Sequence, residues 1–189
     1  ATALSHAKMS GKNGHQLFDS QMSRLHVEQL RIERDLQRAQ EQGELKLWYQ
    51  PKFDLDKKLV GMEALLRWVS PDGIIPPTRF IPVAENSGQI IPIGFSVIDE
   101  AAKQLATWHS QGYKALRMSV NISPKQFNDD TLVSRIKEAL ERHSIPPSCF
   151  EVEITESVVM DKKEVAVKVL TELSKMGVKI AIDDFGMGY

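Results

Sequence analysis

Four carboxylates and one amide stand at or near the ends of apolar segments in this chain: Glu63, Asn121, Glu153 and the adjacent pair Asp183-Asp184. Carboxylate and amide oxygens are hard donors, so the set suits Mg²⁺ or Mn²⁺, with Ca²⁺ as a competitor. Carboxylates crowded without a cation repel one another and bind protons more readily, and a divalent metal removes that penalty. The Asp183-Asp184 pair can place one carboxylate between two metals or one on each. Two metals ~3.5–4 Å apart are a recurring device for in-line phosphodiester cleavage. Arg67, four residues after Glu63, offers a planar donor fork for phosphate. Taken singly, each has a plainer role: Glu63 an edge or ion-pair residue, Asn121 a turn-maker, Asp183-Asp184 an N-cap and turn, Arg67 a surface ion-pair partner. Five such residues at strand ends together are harder to dismiss. The five histidines are scattered without ligand spacing, and Cys149 has no paired histidine.

The elements that must position these residues are legible in outline. From Met22 the apolar positions Met22, Leu25, Ile32, Leu36 and Ala39, with Gln29 in the gap, alternate in threes and fours. That is the seam of a coiled coil, though it lasts only about two and a half heptads. Gly43 ends this helix. Leu45 to Tyr49 is a strand stopped by Pro51, and Leu59 to Val69 contains another, followed by a turn at Pro71-Asp72-Gly73. Helices follow from Pro77 to Glu85 and from Ile93 to Ser110, closed near Gly88 and Gly112. Arg117 to Asn121 is a strand. Ser123-Pro124-Lys125-Gln126 has the form of a capping box with proline at the first helical position. A helix from Leu132 to His143, a strand from Phe150 to Ile154, a helix capped by Asp161 and running to Met176, and a strand from Val178 to Ile182 complete the order. Strands alternating with helices predict an α/β fold with a parallel sheet buried on both faces, either a (β/α) barrel or an open doubly wound sheet. In such sheets the site lies beyond the carboxyl ends of the strands.

Composition sets further bounds. With 24 basic and 25 acidic residues in 189, the net charge of −1 gives no electrostatic footprint for a nucleic-acid polymer or an anionic membrane. The single cysteine excludes an internal disulfide framework and fits a reducing compartment. No apolar run approaches the ~18–20 residues that cross a bilayer. The chain therefore reads as cytoplasmic, and a membrane anchor further upstream is compatible with that. Both ends read as cut: the chain opens on Ala1 with an uncapped helix-like stretch, and closes inside the loop that carries Asp183-Asp184.

The run Glu63-Ala64-Leu65-Leu66-Arg67-Trp68 resembles the signature of EAL domains. Tyr49-Gln50-Pro51, Phe80 to Glu85, Asn121-Ile122-Ser123, Glu153-Ile154-Thr155-Glu156 and Asp183-Asp184-Phe185-Gly186 follow the family's order. The resemblance covers residues 44–189. It implies an incomplete TIM-like (β/α) barrel whose first strand is antiparallel to the rest. It implies that Glu63, Asn121, Glu153, Asp183 and Asp184 are metal ligands for Mg²⁺ or Mn²⁺, two ions in number. Gln50, Leu65 and Arg67 match positions that contact cyclic di-GMP, and Glu156 matches a glutamate that steadies the loop after Asp184. The implied reaction is metal-dependent hydrolysis of cyclic di-GMP to linear pGpG, with a metal-bridged water attacking in line. The same loop supports dimerisation in the family, so a homodimer of the parent protein is implied. Met187 departs from the family's usual Thr in that loop. The family's later lysine, glutamate and glutamine would lie beyond Tyr189, so residues 1–189 alone are expected to be inactive, with open sheet edges and an exposed apolar interior.

Residues 1–19 resemble the end of a GGDEF domain, in Ala7-Lys8-Met9-Ser10-Gly11-Lys12-Asn13, with residues 20–43 as a helical linker. Two other functions fit the same family: a cyclic di-GMP-binding effector without catalysis, against which the intact acids argue, and a regulatory module that only dimerises, which need not hold Mg²⁺.

Overall fold

The computed structural model describes residues 20–156, 158 and 163–183, with side chains from residue 26 on except at residue 163. The GGDEF-like segment, the Asp161 cap and Asp184 lie outside the described residues. Helix α1 (Ser20–Glu41) ends at Gly43, whose φ of +66° is the left-handed conformation that glycine adopts without strain. Its Ile32, Leu36 and Ala39 are buried against Trp68, Phe80, Val83, Ala84, Ile90 and Ile93. This half of the apolar stripe thus meets the chain's own core. A three–four stripe serves a helix docked on a globular core as well as a coiled coil, so period alone does not choose between them.

Strand β1 (Leu45–Phe53) pairs antiparallel with β2 (Leu59–Ser70) and runs straight through Pro51, which sits opposite Met62. Strand β1 does not stop at Pro51 because, among the described residues, β1 pairs with β2 alone, and a strand paired on one side tolerates a missing donor. After the expected turn at Pro71-Asp72-Gly73 the chain adds β3 (Gly73–Ile75), which pairs with the end of β2 and was not anticipated from the sequence. Helix α2 (Pro77–Ser87) closes on Gly88. Helix α3 (Ile90–Ser110) starts three residues earlier than expected. Its Pro92 falls in the first turn, where a backbone donor has no helical partner anyway.

The rest follows the βαβ pattern: β4 (Arg117–Asn121), the short α4 (Pro124–Phe127), α5 (Leu132–Arg142), β5 (Phe150–Thr155), α6 (Lys163–Met176) and β6 (Lys179–Asp183). The sheet order is β1-β2-β4-β5-β6, with β3 on the end of β2. Strands β2, β4, β5 and β6 are parallel to one another, and β1 is antiparallel. Met118, Val120, Phe150, Val152 and Ile154 face the helices and pack with Ile98, Ala101, Leu105, Ile136, Leu140 and Leu173. The alternate positions, Ser119, Asn121, Glu151 and Glu153, lie on the opposite face. The expectation of a sheet apolar on both faces, with an apolar interior, is therefore corrected: the inner face is polar because β4 and β5 alternate.

The capping box at α4 is complete. Ser123 Oγ accepts from Gln126 N (3.3 Å), and Gln126 Oε1 accepts from Ser123 N (3.2 Å). Gln126 is buried against Gly94 of α3, where an added Cβ would stand 1.8 Å from Nε2 and 2.4 Å from Cδ. Gly94→Ala therefore forces Gln126 out of the box. A loss of about 1–3 kcal/mol is expected, against a gain of up to ~1 kcal/mol from helix propensity. Urea denaturation measures the balance, and an unchanged midpoint would show that the close approach is not required.

Candidate functional site

The inner face of the sheet gathers the residues singled out in the sequence. On β2, Glu63, Leu65 and Arg67 alternate along one side. The antiparallel register sets Gln50 of β1 directly opposite Glu63, and Trp48 opposite Leu65. The parallel register sets Ser119 beside Glu63, Glu153 beside Asn121, and Asp183 beside Thr155. Gln50, Glu63, Leu65, Arg67, Asn121 and Glu153 thus share one surface. Asp183 closes β6, next to Thr155 at the end of β5, and Glu156 follows that strand, partly buried.

Local contacts set the orientation of several of these groups. Asn121 Nδ2 donates to Glu63 Oε1 at 2.8 Å, which fixes the amide and commits its nitrogen to protein. Its carbonyl oxygen is the end that could serve a cation. Arg67 Nη1 donates to Leu66 O at 2.9 Å, and its guanidinium lies 5.7 Å from the centre of the Trp48 ring. That stacking leaves a planar donor group on the inner face, as expected for a phosphate contact.

Glu153 is buried, and its partner is Lys52 of β1. Lys52 Nζ donates to Glu153 Oε1 (2.5 Å), Glu151 Oε1 (2.8 Å) and Ser119 Oγ (2.9 Å), and Ser119 Oγ also donates to Glu151 Oε1 (2.8 Å). Burial opposes the Lys52 charge, but the hydrogen bonds and negative charges of Glu151 and Glu153 outweigh it and hold its pKa above the ordinary lysine value. Burial likewise works against Glu151. The bonds from Lys52 and Ser119 and the charges of Lys52 and Arg117 prevail, so its pKa lies below the usual carboxylate range. Lys52, Ser119 and Glu151 were missed in the sequence. The available signal was alternation: Lys52 is two residues from Gln50, and Glu151 two from Glu153.

The donors on this face are all oxygens, and they are those a hard divalent cation accepts. Glu63, Asn121, Glu153 and Asp183 could hold one. Among the described residues no three His, Cys, Asp or Glu side chains converge closely enough by themselves. Asn121 is the fixed amide of this set. A separate cavity of about 1010 Å³ lies between α1 and the β2–β3 turn. Arg31 and Arg34 pair with Asp35 there, and Arg79 with Glu28, so its charges are largely compensated.

Residues 33–189 match the family model described as "EAL domain", and the chain belongs to the EAL domain family. It is 43% identical over 189 residues to the bifunctional diguanylate cyclase/cyclic di-GMP phosphodiesterase MucR of Pseudomonas aeruginosa, covering 99% of this chain and 28% of that protein. It is 37% identical over 189 residues to the cyclic di-GMP phosphodiesterase PdeR of Escherichia coli, covering 100% of this chain and 28% of the relative. The chain thus spans about a quarter of the length of these relatives. The structure of the PaMucR phosphodiesterase in complex with c-di-GMP superposes with a TM-score of 0.81 at 43% identity, over 84% of this chain and 65% of that one. The EAL enzyme Bd1971 in its cAMP- and cyclic-di-GMP-bound form gives 0.82 at 34% identity, over 87% and 46%. The fold is accordingly the mixed α/β, TIM-like barrel of EAL domains, with the antiparallel first strand expected for it.

Proposed function

We propose that the parent protein hydrolyses cyclic di-GMP to linear pGpG in a metal-dependent reaction. The observation that carries this is the shared face of Gln50, Glu63, Leu65, Arg67, Asn121 and Glu153, in a chain 43% identical to a protein solved with c-di-GMP. Mg²⁺ or Mn²⁺, two ions in number, would be held by Glu63, Asn121, Glu153, Asp183 and Asp184. When bound, the metal supplies a Lewis acid and an activated water near neutral pH. The protein's own residues bind and orient. Arg67, stacked on Trp48, presents its guanidinium to a phosphate, while Gln50 and Leu65 flank the dinucleotide. Glu63 holds the Asn121 amide so that its oxygen is presented. Glu156 steadies the segment after Asp184.

A GGDEF domain in cis, a homodimeric parent and a cytoplasmic setting accompany this proposal. In its support, the MucR match covers 99% of the chain and so reaches ahead of the EAL domain, and no helix among the described residues is long and apolar enough to cross a membrane.

The test is turnover of cyclic di-GMP by the full-length protein with Mg²⁺ or Mn²⁺, before and after chelation. Production of pGpG that stops on adding EDTA and returns with the metal is the expected result. Residues 1–189 alone are expected to show negligible turnover, since β1 and β6 are the unjoined edges of the described sheet. Binding without turnover in the full-length protein would instead establish a non-catalytic effector. Metal-independent turnover would remove the ligand assignment.

A further inference from the structure

We propose that Lys52 positions the Glu153 carboxylate for the divalent cation, gripping Oε1 so that the other oxygen is held ready as a ligand. The inference rests on the metal-dependent function proposed above. It starts from the geometry of the inner face. Lys52 comes from β1, 101 residues away from Glu153 in the chain, and uses its ammonium on three acceptors at 2.5, 2.8 and 2.9 Å. An ammonium has three N–H donors, so the set is complete. Two of the acceptors, Ser119 and Glu151, are register partners of each other. They lie two residues nearer the amino ends of β4 and β5 than Asn121 and Glu153. Lys52 therefore holds Glu153 from the level of the strands' amino ends, whereas Asn121 and Asp183 stand at the carboxyl ends. Among the described residues, no other side chain donates to the Glu153 carboxylate, and Oε2 takes no hydrogen bond from any of them.

The charges support the same role. The Glu153 side chain is only 8% exposed, and Lys52 supplies the partner that a buried carboxylate needs. Lys52 with Glu151 and Glu153 carries a net single negative charge, so the group still attracts a cation. Without Lys52, two neighbouring carboxylates would share only the Ser119 hydroxyl. Their repulsion would drive Glu153 to another rotamer, which removes a ligand. An opposing effect exists, because deleting a positive charge near a cation tightens cation binding by Coulomb attraction. A cation held by Glu153 would be separated from the ammonium by that carboxylate, which would damp the repulsion, so loss of orientation is expected to be the larger effect.

The experiment is Mn²⁺ binding to the full-length, substrate-free protein, followed by the electron paramagnetic resonance of the free ion. Lys52→Met is expected to weaken Mn²⁺ affinity roughly 10–100-fold, the range typical when an outer partner of a metal ligand is removed. Turnover of cyclic di-GMP at saturating Mn²⁺ should return most of the way to the wild-type rate, placing the loss in metal affinity. Lys52→Arg, which keeps the charge, should recover most of the affinity. If circular dichroism shows Lys52→Met unfolded, Lys52→Gln carries the same expectation, since it retains a donor without the charge. Unchanged or tighter Mn²⁺ binding in folded Lys52→Met or Lys52→Gln overturns the proposal. Wild-type Mn²⁺ binding that is lost in Glu63→Ala would in that case leave the metal-dependent function standing. Absence of Mn²⁺ binding by the wild-type protein overturns both.

Discussion

Glu63→Ala in the full-length protein is expected to reduce kcat/KM for cyclic di-GMP by roughly 10³-fold. A metal acting as Lewis acid contributes several kcal/mol to the transition state, and about 4 kcal/mol corresponds to that factor. Two losses combine in this variant. One proposed ligand disappears, and Asn121 Nδ2 loses the acceptor that holds the amide at 2.8 Å. Glu63→Gln separates them: its side-chain oxygen still accepts from Asn121, but the negative charge that attracts the cation is gone. Glu63→Gln should therefore also be severely impaired while melting like the wild type. Glu63 is not part of the buried core, so neither variant should lose more than about 1 kcal/mol of stability. Steady-state kinetics with a Mn²⁺ titration is the measurement. Activity within tenfold of wild type for Glu63→Ala would show that Glu63 is not a ligand.

Trp68→Ala should produce the largest loss of stability, about 3–5 kcal/mol, as for other large aromatic side chains removed from a core. Trp68 is 2% exposed. Its ring packs edge-on to Phe80 with centroids 5.7 Å apart, and its Nε1 donates to Glu44 Oε2 at 2.9 Å. Trp68 belongs to the cluster that buries Leu36 and Ala39 of α1, so its removal opens the seat of that helix as well. Trp68→Phe keeps most of the apolar volume and loses the indole donor. It should cost only ~1 kcal/mol, the usual net worth of one hydrogen bond. Urea denaturation followed by circular dichroism avoids the change in fluorescence that the substitution itself causes. Equal midpoints for Trp68→Ala and Trp68→Phe would mean that ring packing contributes little. Because Trp68 follows Arg67 on the opposite side of β2, Trp68→Ala should also raise KM for cyclic di-GMP as the end of that strand loosens.

The amino-acid sequence alone determined the elements that depend on near neighbours. Gly43, Gly88, Gly112 and Gly177 all adopt positive φ at or just past helix ends, as glycine after an apolar periodic run implies. The Ser123–Gln126 capping box formed as written, because all its partners lie within four residues. Strand β4 has the bounds read from the sequence, and β5 and β6 extend one residue further at their carboxyl ends. Within each strand, alternation puts Ser119 with Asn121 and Glu151 with Glu153 on one side. Glu63, Asn121 and Glu153 are legible in the sequence from their places in or at the ends of apolar segments.

Only the tertiary structure decided what depends on distant partners. Pro51 is harmless inside β1 because β1 is an edge of the described sheet, which no local pattern records. The α1 stripe meets Phe80 and Val83 because α2 lies beside it, although the same spacing would serve a coiled coil. The polar inner face was obscured by strands read as continuous apolar runs, when Ser119, Glu151 and Glu153 in fact alternate with the core residues. Alternation with Gln50 puts Lys52 on the inner face, but its carboxylate partners, 99 and 101 residues further along the chain, leave no local trace. Short-range sequence patterns fix helix ends, caps and strand alternation because those energies are local. The pairing of a buried carboxylate with one lysine among several is set only when the sheet assembles.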